Sequence, residues 1–278
     1  MVDLIPQKPD STVFTARFSS WQETIPVILE AADLCSRLAG AKRVIIKPNL
    51  VEPQPPPITT PVELVAVLVD YLGRECPGLD IVIGEGCGSA TQNTMEVFKA
   101  LGYADLAASG RATLLDLNEA PLVRLENPEC RRWPVMHLPG IVFESFLLSV
   151  PVLKAHSLAG VTLTMKNMVG LAPPAHFQGG GHWKKASFHT GIQEAVFDLN
   201  RYRTPDFTLL DATVGMQEAH LWGPTCDPPP NRLAAGFDPV ALDAYGCRLL
   251  GIDWQRIGHL AMAHNRLGCA EPQTVSEI

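Results

Sequence analysis

Short apolar runs alternate with amphipathic segments along most of this chain of 278 residues. Runs of this length are typical of strands that are covered on both faces of a parallel sheet. The runs predicted as strands are Thr12–Arg17, Arg43–Lys47, Asp80–Gly84, Ala112–Leu117, Phe146–Leu153 and Phe207–Asp211. This alternation predicts an α/β protein with a mostly parallel sheet flanked by helices.

The segments between these runs carry helical patterns. Helices are predicted over about Trp21–Leu38, Pro61–Leu72, Thr94–Leu101, Phe188–Arg203, Pro239–Leu250 and Trp254–Arg266. Asp238 is expected to cap the helix that starts at Pro239, and such a cap is worth ~1 kcal/mol. Residues 118–145 are predicted to be irregular or antiparallel. We expect one domain over residues 1–278, built as one unit or as two interleaved lobes with a cleft.

Composition excludes several classes of function. The formal charge is −7 and the 22 Lys and Arg residues are scattered, so no concentrated basic face for nucleic acid is expected. Residues 1–10 lack the basic patch and apolar core of a signal peptide, and no later run approaches the length of a membrane span. We therefore expect a cytoplasmic protein that binds neither nucleic acid nor membrane.

The seven cysteines are far apart, and their spacing matches neither an iron–sulfur cluster nor a structural zinc site. Cys87, between two glycines, is expected to be accessible enough for a nucleophile. No neighbouring base is evident, however, so a neutral loop thiol is the favoured interpretation.

Polar residues follow several predicted strands at the point where each strand ends. They are Lys47, Asn49, Glu85, Lys154, His156 and Asp211. Ligands of open parallel sheets bind outside the carboxyl ends of the strands, so we expect these side chains at one edge. A lysine that closes a buried strand is costly to desolvate unless it meets an anion or a carboxylate. A buried ion pair, such as Lys47 with Glu85, and a ligand-binding cleft are both consistent with this pattern.

The stretch from Lys154 to His189 is rich in lysine and histidine. Lys166 and Asn167 lie among small and apolar residues, an arrangement that lets backbone approach a ligand while the ammonium supplies charge. Residues 172–187 have the composition of a mobile lid, or equally of an ordinary surface loop. His189 heads a predicted helix, where it is placed for an anion contact or acid–base chemistry.

Three histidines, His176, His182 and His189, are the candidate metal ligands, although their spacing matches no standard metal-binding pattern. A metal therefore stays an open alternative.

Asp243 lies one turn beyond the capping Asp238 and is expected to pair with one of the lysines.

The ordered motifs resemble the uncharacterised family catalogued as domain of unknown function 362, over about Val44 to Gly251. They are Lys47-Pro-Asn-Leu50, Thr59-Thr-Pro61, Ile83-Gly-Glu85, Val150-Pro-Val-Leu-Lys-Ala-His156, Val161-Thr-Leu-Thr-Met-Lys-Asn167 with Gly170, Pro205-Asp with Asp211, and Asp238-Pro-Val-Ala-Leu-Asp243. Many members carry a ferredoxin module, which implies a ferredoxin-type partner, but this chain has no such module. It also departs from the family at Cys226 and Cys87.

A more distant similarity is to the nickel-pincer lactate racemases. In that family a glycine-flanked lysine carries the cofactor and downstream histidines handle metal and protons. The segment Val161–Gly170 followed by His182 or His189 is similar to this arrangement.

These observations predict an enzyme, of isomerase, lyase or oxidoreductase type, that acts on a small carboxylate or phosphate metabolite. The anion would be bound by Lys47, Lys154 and Lys166, together with Asn49, Asn167 and Asp243. His156 and His189 would exchange protons with it, and Glu85 or Asp211 would orient these binding and proton-transfer groups. Two alternatives stay open: a redox or metal-handling accessory that works with a separate ferredoxin, and a metabolite-binding module without catalysis.

Overall fold

The computed structural model describes residues 10–271 and 274–278. Its strands are β1 (Thr12–Arg17), β2 (Arg43–Pro48), β3 (Asp80–Glu85), β4 (Thr113–Asp116), β5 (Leu122–Glu126), β6 (Val135–Pro139), β7 (Phe146–Val150), β8 (Val152–His156), β9 (Gly160–Thr162), β10 (Phe207–Met216), β11 (Arg232–Gly236) and β12 (Thr274–Glu277). Its α-helices are α1 (Trp21–Ala31), α2 (Leu34–Arg37), α3 (Val62–Glu75), α4 (Thr94–Ala100), α5 (Tyr103–Ala108), α6 (Thr164–Asn167), α7 (Pro174–Phe177), α8 (Ile192–Tyr202), α9 (Pro239–Leu249) and α10 (Gly258–Ala263). Short 3₁₀ helices cover Gly140–Phe143, Met168–Leu171, Ala186–Phe188 and Trp254–Arg256.

Ten of these strands form one sheet, in the order β12-β1-β11-β10-β7-β2-β3-β4, with β8 beside β10 and β9 beside β8. Strand β11 is antiparallel to both of its neighbours and β9 is antiparallel to β8, whereas the other pairings are parallel. The predicted α/β fold with a mostly parallel sheet is confirmed. Strands β5 and β6 form a separate antiparallel pair within the stretch predicted to be irregular or antiparallel.

Side chains of the central strands alternate between two apolar layers. Val44 and Ile46 of β2 pack in a cluster with α1, α3, α4 and α5, whereas Ile45 between them packs in another cluster with residues of α8. Residues of α9 and α10 form a third cluster with Leu210 and Ala234 of β10 and β11. Because consecutive side chains of a strand point to opposite faces, fully apolar strands require this cover on both sides. No helix in the described ranges has both the length and the apolar character needed to cross a membrane.

Several predicted boundaries are wrong. The predicted helix Trp21–Leu38 is interrupted at Asp33, whose φ of 53° is left-handed, a conformation that aspartate tolerates better than most residues. Pro151, which lacks the backbone N–H of a ladder, separates β7 from β8 within the predicted strand Phe146–Leu153. Residues Trp254–Arg266 form a 3₁₀ turn and the short α10 instead of one helix.

The helix predicted over Phe188–Arg203 begins later, at Ile192. Gly191 precedes it in the left-handed region, with φ of 60°, and separates α8 from the 3₁₀ turn Ala186–Phe188. His189 follows that turn, so the prediction that it heads the helix is wrong. Asp238 does cap α9, because its carboxylate accepts from the amides of Val240 and Ala241 at 2.9 and 3.0 Å.

Candidate functional site

A cavity of about 310 Å³ lies at the carboxyl ends of β2, β3 and β8. Eight residues singled out in the sequence line it: Lys47, Asn49, Glu85, Lys154, His156, Lys166, Asn167 and His189. Parallel strands bring their carboxyl ends to one edge, which is why residues more than a hundred positions apart meet here.

The base of this cavity is a buried ion pair. Lys47 Nζ lies 2.7 Å from Glu85 Oε1, and both side chains are almost fully buried. The amide of Gly86 also donates to Oε1 at 2.8 Å, and the amide of Leu50 donates to Oε2 at 3.0 Å. Burial lowers the pKa of Lys47, and the charge of Glu85 opposes that shift. Both oxygens of Glu85 are thus engaged, one by Lys47 and Gly86 and the other by the loop after β2. The buried ion pair between Lys47 and Glu85 is one of the two arrangements that the sequence left open.

Two asparagine side chains connect this pair to a second lysine. Asn167 Oδ1 accepts from Lys47 Nζ at 3.3 Å and from Asn49 Nδ2 at 3.1 Å. Asn49 Oδ1 in turn accepts from Lys154 Nζ at 2.5 Å, and Lys154 also donates to the Ile58 carbonyl at 2.6 Å. Burial, with the nearby charge of Lys166, lowers the pKa of Lys154 to about 7. The network therefore holds a second cation that readily loses its proton.

Lys166 differs from these lysines because its ammonium has no hydrogen-bond acceptor in the described part of the chain. It is half-buried, and desolvation lowers its pKa to about 8. An ammonium that is partly removed from water and has no acceptor is costly, so Lys166 is the cavity group most in need of an anion.

Asp243 positions Lys166 instead of pairing with a lysine. Its carboxylate accepts from the amides of Thr164 and Met165, at 2.6 and 2.9 Å, and thereby caps the four-residue helix α6 that carries Lys166. Burial raises the pKa of Asp243 to about 7, although these hydrogen bonds act in the opposite direction. Asp243 does not line the cavity, so the structure does not bring it into contact with a ligand bound there.

Two stacked imidazoles form the next part of the wall. The rings of His156 and His220 are parallel, with centroids 3.9 Å apart. His156 Nδ1 accepts from the amides of Leu158 and Ala159, at 3.0 and 3.1 Å, so the proton of the neutral ring lies on Nε2. Burial and the charge of Lys166 lower the pKa of His156, and they lower that of His220 to about 3. Both rings are therefore neutral at pH 7.

Lys185 and His220 line the cavity but were not assigned to the site from the sequence. Lys185 donates to the Asn118 side chain and to the Ala172 carbonyl, and burial lowers its pKa to about 7. Lys185 belongs to the segment 172–187 predicted as a lid, and the lid-like composition of that segment was the sequence signal that could have assigned Lys185 to the site. His220 follows the end of β10, so the strand-end rule would have found it if β10 had been extended to Met216.

Asp211 lies outside this cavity. Since β10 continues to Met216, Asp211 lies within the strand, where it accepts from the amide and hydroxyl of Thr213 at 2.9 and 2.7 Å.

The Cys87 thiol is buried, contrary to the expected accessibility, and burial raises its pKa. The favoured interpretation, a neutral thiol, is consistent with this environment.

The three candidate metal ligands are not arranged as a chelating group. His176 stacks on His137, with centroids 4.0 Å apart, and His182 contacts Trp183 edge-on, whereas His189 lies at the cavity. Among residues 10–271 and 274–278, no group of three or more His, Cys, Asp or Glu side chains is arranged to hold a metal ion.

Gly170→Ala is expected to destabilise the protein by about 1–3 kcal/mol, because the new methyl group would collide with the Lys47–Glu85 ion pair. Gly73→Ala is the matched control, since Gly73 lies in α3 with open space around it. Alanine there is expected to leave stability unchanged or slightly higher. Urea unfolding of both variants checks the prediction, and equal stabilities would contradict it.

The fold is similar to that of the lactate racemase apoprotein from Thermoanaerobacterium thermosaccharolyticum, with a TM-score of 0.50 and 15% sequence identity. The match covers 84% of this chain and 56% of that one, so this chain spans little more than half the length of the racemase. At this identity the likeness is one of fold. No curated protein matches the chain. Residues 44–248 match the family model described as Domain of unknown function (DUF362), and the chain therefore belongs to that family.

Proposed function

We propose that this protein is an enzyme that binds a small metabolite bearing a carboxylate or phosphate in the cavity beside Lys166. The main support is the charge of the lining: four lysine side chains, of residues 47, 154, 166 and 185, face one carboxylate, that of Glu85. Glu85 is already engaged by Lys47, and within the described ranges Lys166 has no acceptor. An anionic ligand would supply that acceptor and offset the cost of desolvating the cation.

The same groups suit proton transfer to or from the bound anion. Lys166, whose pKa of about 8 a bound anion would raise, would act in its charged form as a proton donor to the ligand. The Nε2–H of His156 would donate a hydrogen bond to the developing negative charge. His189, whose pKa is lowered by desolvation and by Lys166, would exchange protons at the cavity edge. This chemistry is that of an isomerase or a lyase.

Replacing Lys166 with methionine tests the proposal, because methionine retains much of the volume and removes the charge. We expect affinity for inorganic phosphate and for acetate to fall roughly 10- to 150-fold, the range for hydrogen bonds to charged groups. The folded protein should lose no stability, since the ammonium has no acceptor among the described residues. Isothermal titration calorimetry measures the affinities, and thermal unfolding measures the stability.

Lys99→Met is the matched control, because Lys99 is an exposed lysine on α4. It should leave both affinities unchanged. If the Lys166 and Lys99 variants bind these anions equally well, the site proposal is wrong. If a metabolite is bound through Lys166 and never turned over, the protein is a metabolite-binding module instead of an enzyme.

A second candidate function involves a metal cofactor and is favoured by one orphaned atom. His220 Nδ1 is buried beside the cavity and has no hydrogen-bond partner among the described residues. By the similarity to lactate racemases, Lys166 would carry the cofactor. His220, in place of the His182 or His189 that the similarity suggested, would offer an imidazole to the metal of that cofactor, which would supply metal-centred chemistry. Intact-mass measurement would detect an adduct that disappears in Lys166→Met, with the metal content measured in parallel. Unmodified, metal-free protein from an anaerobic preparation would count against this function and against a ferredoxin-linked role.

A further inference from the structure

The cavity wall is cationic in its depth, and its mouth combines two large apolar side chains with the polar Ser157 and His189. Lys47 and Lys154 have 0% of their surface exposed, whereas the mouth residues Leu158 and Trp222 are 55% and 76% exposed. All four line the same cavity. A ligand that reaches the lysines must therefore pass, or remain against, the apolar side chains.

Several segments contribute to this mouth. We name it the apolar collar, which consists of Leu158, Trp183, Ile192, Leu221 and Trp222. Leu158 follows β8, Trp183 comes from the segment 172–187, Ile192 begins α8, and the last two residues follow β10. Leu158 and Trp222 are exposed, whereas Ile192 and Leu221 are buried in the wall. Two indole rings and three aliphatic side chains along one cationic cavity form a surface that favours apolar contact.

The volume of the cavity also exceeds what a minimal anion fills. A water molecule occupies about 30 Å³ in the liquid, so a cavity of about 310 Å³ has room for roughly ten water molecules. Acetate has four heavy atoms, and phosphate has five. An anionic group on the lysines would leave the outer part of the cavity, beside the collar, without a ligand contact. Pockets of this volume typically hold a larger ligand with a few polar groups at defined points.

From this depth gradient we propose that the ligand is an amphiphilic anion, in which the carboxylate or phosphate is joined to an apolar body that lies against the collar. The anionic group would lie beside Lys154 and Lys166, and the body would lie between Leu158 and Trp222. This inference rests on the proposed anion site and adds the class of molecule that the site accepts.

Affinities for acetate and phenylacetate separate the two parts of the proposal. The molecules share a carboxylate and differ by a phenyl group, which loses contact with water only if it lies against the collar. We expect phenylacetate to bind at least about 10-fold more tightly than acetate. Lys166→Met should weaken the binding of both, whereas Trp222→Ala should abolish most of the advantage of phenylacetate and leave acetate binding unchanged. Trp222 is largely exposed, so this variant is expected to fold normally.

Phe143→Ala is the matched control, because Phe143 is an aromatic residue with 40% of its surface exposed and does not line this cavity. It should leave the ratio of the two affinities unchanged. Equal binding of acetate and phenylacetate would overturn the amphiphilic ligand while leaving the anion site intact. If neither molecule binds, the proposed function itself fails. If Trp222→Ala changes the sedimentation of the protein and not the affinity ratio, the collar contacts another protein copy and our assignment is wrong.

Discussion

Glu85→Gln is expected to lower the free energy of unfolding by about 3–5 kcal/mol, because it leaves the ammonium of Lys47 buried without an opposite charge. Lys47 has 0% of its side chain exposed, and Glu85 has 3%. Glutamine keeps the shape of the side chain and one acceptor oxygen, but its NH2 group replaces the oxygen that accepts from either Leu50 or Gly86, so the expected loss includes one amide hydrogen bond as well as the charge. Urea unfolding at pH 7 measures the loss, and a thermal scan should show a melting temperature lower by at least roughly 6 °C.

The combination of Lys47→Met with Glu85→Gln should recover much of this loss. Breaking a buried pair leaves an uncompensated charge, whereas removing both charges does not. Glu126→Gln provides the control, because the ion pair of Glu126 with Arg124 is exposed on both sides and surface pairs contribute little. The prediction is wrong if Glu85→Gln is as stable as the control, or if the double variant is less stable than Glu85→Gln alone.

The affinity for acetate is expected to fall at least about 10-fold between pH 6 and pH 9. Burial lowers the pKa of Lys154 and of Lys185 to about 7 and that of Lys166 to about 8. Acetate stays ionised throughout this range, so the change arises in the protein. Bound anion favours the charged lysines and raises their pKa values, so binding takes up protons and weakens as pH rises through 7 and 8.

Calorimetry in buffers with different ionisation enthalpies counts these protons. We expect a positive proton uptake near pH 8 in the unaltered protein and a smaller one in Lys166→Met. His156 and His220 cannot produce the effect, since desolvation lowers their pKa values and keeps both rings neutral throughout this range. Affinity that is constant or increases with pH would contradict the assignment of these lysines to the anion site.

The position of the site could be predicted from local patterns. Lys47, Glu85, Lys154 and His156 each end a short apolar run, and such a run is recognisable without knowledge of its neighbours in space. A general property of parallel sheets then brings the ends of the strands together. The rule does depend on where a strand ends: the predicted ends of β2, β3 and β8 placed their residues correctly, whereas the predicted end of β10 at Asp211 was five residues too early and missed His220.

The role of each side chain depended on contacts that no local pattern specifies. Asp211 and Asp243 have the residue type and the placement expected of ligand-binding groups, yet one accepts from Thr213 and the other caps α6. His220 and Lys185 come from loops, whose direction depends on how the helices and neighbouring strands pack.

The sequence by itself thus determined the α/β fold, the parallel sheet and the cationic edge, because strand periodicity and strand-end polarity are properties of short segments. Only the tertiary structure decided that Lys47 is neutralised by Glu85, that Lys166 lacks an acceptor among the described residues, and that large apolar side chains line part of the mouth. The physical reason is that the free energy of a buried charge is set by its distances to atoms far away in the chain. Those distances exist only once the sheet and its loops have packed.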